Sequence, residues 1–239
     1  MPASFLNAVI FALLPMAAAL LGSTIAAFRP PRAIYRSYIQ HLAGGVVFSV
    51  VAVELLPSII HERGALVEVF VGFAAGVVAM LGMRSFSHKL EQKGDDSPLG
   101  LLVAVGIDIL LDGLLISVSF AAGAKEGQLL TLALAMEFIS LGLAVAVALG
   151  KKDKRPYRVI LTSGLLFLTV VVGAGLGAVI MQSISAGALE VVLSFGLAAL
   201  LYLVTEELLV EAHEEPETPA ASGMFFLGFL IFLLLGMAE

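Results

Sequence analysis

The segment GIDILLDGLLISVSF, residues Gly106–Phe120, decides the fold, because it places two acids inside an otherwise apolar run. Asp108 and Asp112 are four residues apart, so in a helix both carboxylates project from the same face. The run Leu99–Ala122 is long enough to cross a bilayer and contains no Lys, Arg or His. A carboxylate inside a membrane is costly unless something positive accompanies it, so the segment indicates a functional site.

The next apolar segment brings a third acid to the same depth. It reads ALAMEFISLGLAVAVAL and contains Glu137, and we expect the short polar loop Gly123–Gln128 to precede it. With a rise of about 1.5 Å per residue, Asp108, Asp112 and Glu137 lie roughly 14, 20 and 18 Å from one membrane face. The sequence therefore predicts that the three carboxylates meet near the membrane midplane.

The composition excludes a soluble globular protein. The chain has 239 residues, of which 60% are hydrophobic, and its mean hydropathy is +1.05. It contains no Cys, which excludes disulfides, thiolate metal sites and thiol nucleophiles. We expect one all-α transmembrane domain over residues 1–239, with no prosthetic cofactor and no nucleic-acid partner.

Apolar runs predict eight spans. The first has no basic residue before its apolar core, so we expect a retained helix, kinked at Pro15, rather than a cleaved signal peptide. The expected spans are Ser4–Ala27, Leu42–Ile60, Ala65–Met83, Leu99–Ala122, Gln128–Leu149, Tyr157–Met181, Gly187–Leu209 and Ser222–Met237.

The basic residues predict the orientation. Of the 13 Lys and Arg residues, all but Arg63 and Lys125 fall in loops on one face. The residues on that face are Arg29, Arg32, Arg36, Arg84, Lys89, Lys93, Lys151, Lys152, Lys154, Arg155 and Arg158. Since cytoplasmic loops are enriched in Lys and Arg, we expect a cell membrane protein with both termini outside.

The chain shows a faint internal repeat. The second span ends in VELLP, Val53–Pro57, and the seventh ends in EELLV, Glu206–Val210. If spans 1–3 and 6–8 are inverted repeats around a central pair of spans 4 and 5, these two ends lie on opposite membrane faces. That arrangement is typical of alternating-access transporters.

Carboxylates at the midplane are suitable ligands for a divalent cation such as Mn²⁺, Fe²⁺, Mg²⁺ or Zn²⁺. We expect Asp108, Asp112 and Glu137 to bind the ion, and Ser140 or water to complete the ligand set. Metal binding requires ionised carboxylates, so we expect it to release protons. The structural alternative is that each acid bonds a neighbouring helix and stabilises packing.

Other charged side chains are weaker candidates. Glu54, near the end of span 2, is either a first ligand for an arriving ion or a helix-end acid. At the end of span 7, Glu207 and Glu211 share a face with His213 nearby, which suits either a waypoint for an ion or a solvated helix end. The remaining histidines, which we expect to be solvated, are His41, His61 and His88.

The fourth and fifth spans resemble the ZIP (Zrt-/Irt-like) metal transporters. The family pattern H-N-x-x-[DE]-G aligns with DILLDG, Asp108–Gly113. The family pattern [HQ]-[ED]-x-P-[EH]-G aligns with EFISLG, Glu137–Gly142. The VELLP and EELLV ends are also similar to the family's. The resemblance implies a homodimeric transporter that takes up divalent metal ions, in which spans 1, 4, 5 and 6 move against the others.

Departures from the family pattern alter the expected site. Asp108 replaces the family's His, Phe138 replaces an acid and Leu141 replaces a last acid or His. The family's two-metal site is therefore expected to be reduced to one, held by Asp108, Asp112 and Glu137. Fewer imidazoles favour a harder ion than Zn²⁺, or weaker binding.

Two alternatives belong to other functional classes. The substituted positions leave open a ZIP-like protein without transport activity, acting as a metal or proton sensor or as a structural subunit. An intramembrane aspartic hydrolase is disfavoured, because Asp108 and Asp112 stack along one helix instead of facing each other across a water. We therefore expect that the protein is not an enzyme.

Overall fold

The structure, a computed structural model, describes residues 3–61, 65–92, 99–151, 153–213 and 218–238. Within these ranges the chain is helical and forms no strand. Eight helices are long and apolar enough to cross a membrane, which confirms the predicted all-α, eight-span membrane fold. Several residues discussed above have side chains outside the described part: His61, Arg63, His88, Lys89, Lys93 and Lys152.

The eight spans follow one another with short connections, and three of them are subdivided. Span 1 comprises Ala3–Phe11 and Leu13–Phe28; span 2, Ala33–Val50, Val51–Leu55 and Leu56–His61; span 3, Leu66–Gln92; span 4, Leu99–Ala122; span 5, Ala124–Gly150; span 6, Pro156–Met181; span 7, Ala186–Tyr202, Leu203–Leu208 and Leu209–Ala212; span 8, Pro219–Ala238.

The interruption in span 1 has a simple cause. The helix breaks at Ala12, three residues before Pro15, which has no N–H to donate to the carbonyl of Phe11. The hydrogen bond from Met16 to the carbonyl of Ala12 is stretched to 3.4 Å. The irregularity therefore lies within one turn of the proline at which we predicted it.

The junction of spans 4 and 5 is tighter than predicted. Gly123 separates the two helices, and span 5 begins at Ala124 instead of Gln128. The amide of Gly127 donates to the carbonyl of Gly123 at 3.1 Å, so the polar residues that we assigned to a loop form the first helical turn. As a consequence, Lys125 is fixed on a helix.

The helices pair in a pattern that is compatible with the inverted repeat. The four most extensive contacts join span 1 to span 5, span 4 to span 6, span 2 to span 8, and span 3 to span 7. Exchanging spans 1–3 with 6–8, and span 4 with span 5, converts this set of pairs into itself. Further contacts of span 1 with span 6 and of span 4 with span 5 join the first two pairs into a 1-4-5-6 group. Contacts between spans 2 and 7 join the other two pairs into a 2-3-7-8 group, and span 2 also packs on span 5 where the groups meet.

Glycines allow these pairs to approach closely. A Cβ atom on Gly142 of span 5 would lie 2.2 Å from the carbonyl oxygen of Ala19 in span 1. In the equivalent pair, a Cβ on Gly113 of span 4 would lie 2.1 Å from the carbonyl oxygen of Val170 in span 6. The two halves of the molecule thus use the same packing device, which is typical of membrane helices.

The Glu-Leu-Leu sequences of spans 2 and 7 both lie in π-helical turns, Val51–Leu55 and Leu203–Leu208. Glu54 and Glu207 occupy corresponding positions, and each is followed by a buried leucine. A π-helical turn adds a residue to the helix and often occurs at functional sites. The sequence predicted the repeat of these segments but not their backbone conformation.

Candidate functional site

The three acids predicted from spans 4 and 5 face the interior of the helix bundle. Asp112 is 4% exposed and Glu137 is 2% exposed, while Asp108 is half-buried. Asp108 and Asp112 lie one turn apart on span 4, as their spacing predicts. The apolar surroundings of both helices exclude bulk water from the two deeper acids.

A small cavity lies where spans 4, 5 and 7 meet. Its volume is about 30 Å³. Since a water molecule needs about 10–15 Å³ of such space, the cavity has room for one or two bodies of the size of a water or a metal ion. It is lined by Asp108, Glu137, Ser140, Leu141, Leu203, Glu207, Leu208 and Glu211.

Five carboxylates form one electrostatic cluster, of which four line this cavity while Asp112 lies one turn from Asp108 on span 4. Glu137 interacts electrostatically with Asp108, Asp112, Glu207 and Glu211. Within the described part of the chain, Oδ2 of Asp112 and Oε2 of Glu137 accept no hydrogen bond. Buried carboxylate oxygens without partners are costly, and either protonation or a nearby cation would lower that cost.

A wider cavity continues from the small one. Its volume is about 270 Å³, and it shares Asp108, Leu141, Glu207 and Glu211 with the small cavity. At its rim the guanidinium of Arg84 donates to Glu206 at 2.6 Å, and both side chains are exposed. The wider cavity therefore leads from the cluster towards the membrane face on which Arg84 lies, which we name the Arg84 face.

The end of span 7 is held against span 2 by polar contacts. The amide of Gln40 donates to Glu211 at 2.6 Å, and Ser37 donates to the carbonyl of Ala212 at 2.8 Å. His41 and His213 pack edge to face with ring centroids 5.2 Å apart. His41 is 3% exposed, so our prediction that it is solvated is wrong. Contacts between helices distant in sequence bury this histidine.

The opposite end of the molecule, which we name the Lys125 face, carries a different charge pair. The ammonium of Lys125 in span 5 lies 3.6 Å from Oε1 of Glu54 in span 2. The same ammonium donates to the carbonyl of Gly236 in span 8 at 2.6 Å. Glu54 is thus a buried, paired acid rather than an open helix-end carboxylate.

The acids are spread along the cavities instead of enclosing one point. Among the described residues, no group of three His, Cys, Asp or Glu side chains is close enough to hold one metal ion. Asp108 and Glu137 line the small cavity, whereas Asp112 does not. A closed structural metal site needs three or four converging ligands, and the described residues do not form one.

The sequence indicated Glu207 and Glu211 only as weaker candidates, whereas in the structure both line the small cavity. The spacing of Glu207 and Glu211 predicted a shared face and suggested a waypoint, but it did not show that this face meets Asp108. The signal was the second Glu-Leu-Leu segment, which repeats the one that contains Glu54. The repeat alone did not indicate that span 7 packs near span 4, because the sequence does not show which spans pair.

Comparisons with known proteins add no assignment: no family model matches this chain, and no curated protein matches it significantly. The resemblance to ZIP transporters therefore depends on the motifs of spans 4 and 5 and on the Glu-Leu-Leu ends of spans 2 and 7. The functional argument below depends on the geometry of the carboxylate cluster.

Proposed function

We propose that the protein is a membrane transporter of a divalent metal cation, which crosses between the two helix groups by way of Asp108, Asp112 and Glu137. The observation that carries the proposal is the cavity of about 30 Å³ in a cluster of five carboxylates. Two of the deepest acids have oxygens that accept no hydrogen bond from the described residues. A dication would supply the positive charge that this cluster lacks.

The chemistry of the ligands favours a hard or borderline dication. All five charged groups offer carboxylate oxygens, and Ser140 adds a hydroxyl at the cavity wall. Oxygen ligands suit Mn²⁺, Fe²⁺ and Mg²⁺ better than ions that prefer thiolate or imidazole. The ZIP-like motifs point to the same class of substrate.

The two faces of the molecule suggest the direction of access. The cluster communicates with the Arg84 face through the wider cavity, while Lys125 and Glu54 are paired at the other face. Lys and Arg are concentrated in the loops of the Arg84 face. By the preference of cytoplasmic loops for these residues, we assign the Arg84 face to the cytoplasm and the conformation to an inward-facing state.

Protons and metal ions compete for the same oxygens. A metal ion binds the ionised carboxylate, and each proton that binds removes a ligand. Metal binding should therefore weaken as the pH falls, and titration of the purified protein with Mn²⁺ between pH 8 and pH 5.5 measures this. A dissociation constant that does not change over this range would contradict the competition.

Uptake into liposomes tests the transport proposal. We expect purified protein to carry Mn²⁺ into vesicles that contain a metal-sensitive dye, and the triple variant Asp108→Asn, Asp112→Asn, Glu137→Gln to show no uptake above empty vesicles. The variant Glu206→Gln is the matched control, because this acid is exposed and paired with Arg84. If the protein binds Mn²⁺ without moving it, the sensor alternative replaces transport.

A further inference from the structure

Among the residues that the structure describes, one ion pair connects the two helix groups. Glu54 lies in the π-helical turn of span 2, in the 2-3-7-8 group, and Lys125 lies in the first turn of span 5, in the 1-4-5-6 group. Their charged atoms are 3.6 Å apart, and the side chains are 9% and 37% exposed. Such a partly buried pair is screened less by solvent and salt than an exposed one.

Lys125 also bonds a second member of the opposite group. Its ammonium donates to the carbonyl of Gly236 in span 8 at 2.6 Å. Gly236 packs directly on Glu54, since a Cβ atom at this glycine would lie 2.8 Å from Oε1 of Glu54. One lysine therefore joins span 5 to both span 2 and span 8 at the Lys125 face.

The exposed Arg84–Glu206 pair differs in what it connects. Arg84 and Glu206 join span 3 to span 7, which belong to the same group. If the two groups move relative to each other, the Arg84–Glu206 pair can stay intact, whereas the Lys125–Glu54 pair has to break. The carboxylate cluster is reached from the Arg84 face while the Lys125 face holds this connection.

We propose that the Lys125–Glu54 pair is a lock that holds the two helix groups together at the Lys125 face, and that a dication arriving there opens it by taking the place of the ammonium on Glu54. A dication attracts the carboxylate with twice the charge of the ammonium, so it is an effective competitor. The role of the dication depends on the proposed function, whereas the lock itself requires only that the groups move.

The absence of cysteine from the sequence makes the lock directly measurable. Leu129, one turn after Lys125, is 1% exposed and packs beside Gly236. The variant Leu129→Cys, placed in nanodiscs, reports opening through its rate of reaction with a water-soluble maleimide. We expect slow labelling in the otherwise unaltered protein, and labelling about fivefold faster after Lys125→Gln or Glu54→Gln.

Two controls separate a lock from general loosening. Arg84→Gln removes a pair within one group and should leave the labelling rate unchanged. The charge exchange Glu54→Lys with Lys125→Glu should restore slow labelling, which a partly unfolded protein would not do. Unchanged labelling in both single variants, or equal acceleration in Arg84→Gln, would overturn the lock.

Addition of Mn²⁺ tests the role of the dication. We expect Mn²⁺ to accelerate the labelling of Leu129→Cys when Glu54 is present and to have no effect in the background of Glu54→Gln. If Mn²⁺ has no effect while the charge variants behave as expected, the lock stands and its opening by a dication is wrong. If liposome uptake fails but labelling follows the charge variants, transport is wrong and the lock stands.

Discussion

The two π-helical turns share a backbone conformation and differ in their electrostatic surroundings. In Val51–Leu55, Glu54 is buried beside the ammonium of Lys125. In Leu203–Leu208, Glu207 borders a cavity that also contains Asp108 and Glu211. The acid of one repeated segment, Glu54, is therefore paired with Lys125, whereas the acid of the other, Glu207, lies near further carboxylates.

Under the proposed function, this difference would give a nearly symmetric framework a direction. The close helix contacts at Gly142 and Gly113 are equivalent in the two halves. The charges do not follow this equivalence, because Lys125 neutralises the acid at one face and the five-carboxylate cluster faces the other. Equal packing in the two halves is what alternating access requires, and unequal charge favours one of the two states.

The largest effect is expected at the deepest acid. Glu137→Gln keeps the size of the side chain but removes its charge, and we expect Mn²⁺ affinity in equilibrium titrations to fall about 100-fold. Glu54→Gln, the same change in the paired acid, should leave Mn²⁺ affinity in equilibrium titrations within twofold. Equal loss of affinity in both variants would erase the distinction between the two regions.

The next largest effect is a loss of stability when the equivalent close helix contacts in the two halves are disrupted. Gly142→Ala and Gly113→Ala each force a methyl group against a backbone carbonyl, so we expect each to cost about 2 kcal/mol and to lower the apparent melting temperature by about 5 °C. Gly175→Ala, where nothing lies within 4 Å of the added atom, is the control and should not destabilise. A large effect at one glycine and none at the other would contradict the repeat.

A smaller effect is expected at the acid that corresponds to Glu54. Glu207 lines both the small cavity and the wider one, so Glu207→Gln should weaken Mn²⁺ binding about tenfold. Labelling of Leu129→Cys should not change in this variant. Faster labelling with unchanged affinity would mean that Glu207 stabilises the closed contact between groups and is not part of the ion pathway.

The smallest effect is expected in the preference of the site for Zn²⁺ over Mn²⁺. Asp108→His introduces the imidazole that the ZIP pattern has at this position, and imidazole favours Zn²⁺ over Mn²⁺. Competition titrations should show the ratio of Zn²⁺ to Mn²⁺ affinity rising several-fold. A ratio that stays constant would indicate that Asp108 does not contact the ion.

Much of the fold is predictable because local rules determine it. Apolar length predicts eight spans, and the spacing of Asp108 and Asp112 predicts a shared face on span 4. The interruption near Pro15 follows from its missing N–H. These features depend on residues within one or two helical turns, and the structure agrees with each.

The remaining features depend on contacts between distant helices. The sequence predicted Lys125 in a loop, because the residues around it are polar, but these residues form the first turn of span 5. The burial of His41 and the approach of Glu207 to Asp108 both require the packing of spans 2, 4 and 7. A periodic pattern identifies the buried face of a helix but not the helix that covers it.

The central claim is that a dication binds within the carboxylate cluster of spans 4, 5 and 7. Crystals soaked in Mn²⁺ and measured at the manganese absorption edge test it most directly. We predict an anomalous peak in the small cavity, within ligand distance of carboxylate oxygens of Asp108 or Glu137. A well-occupied peak elsewhere, with none between these spans, would contradict the account.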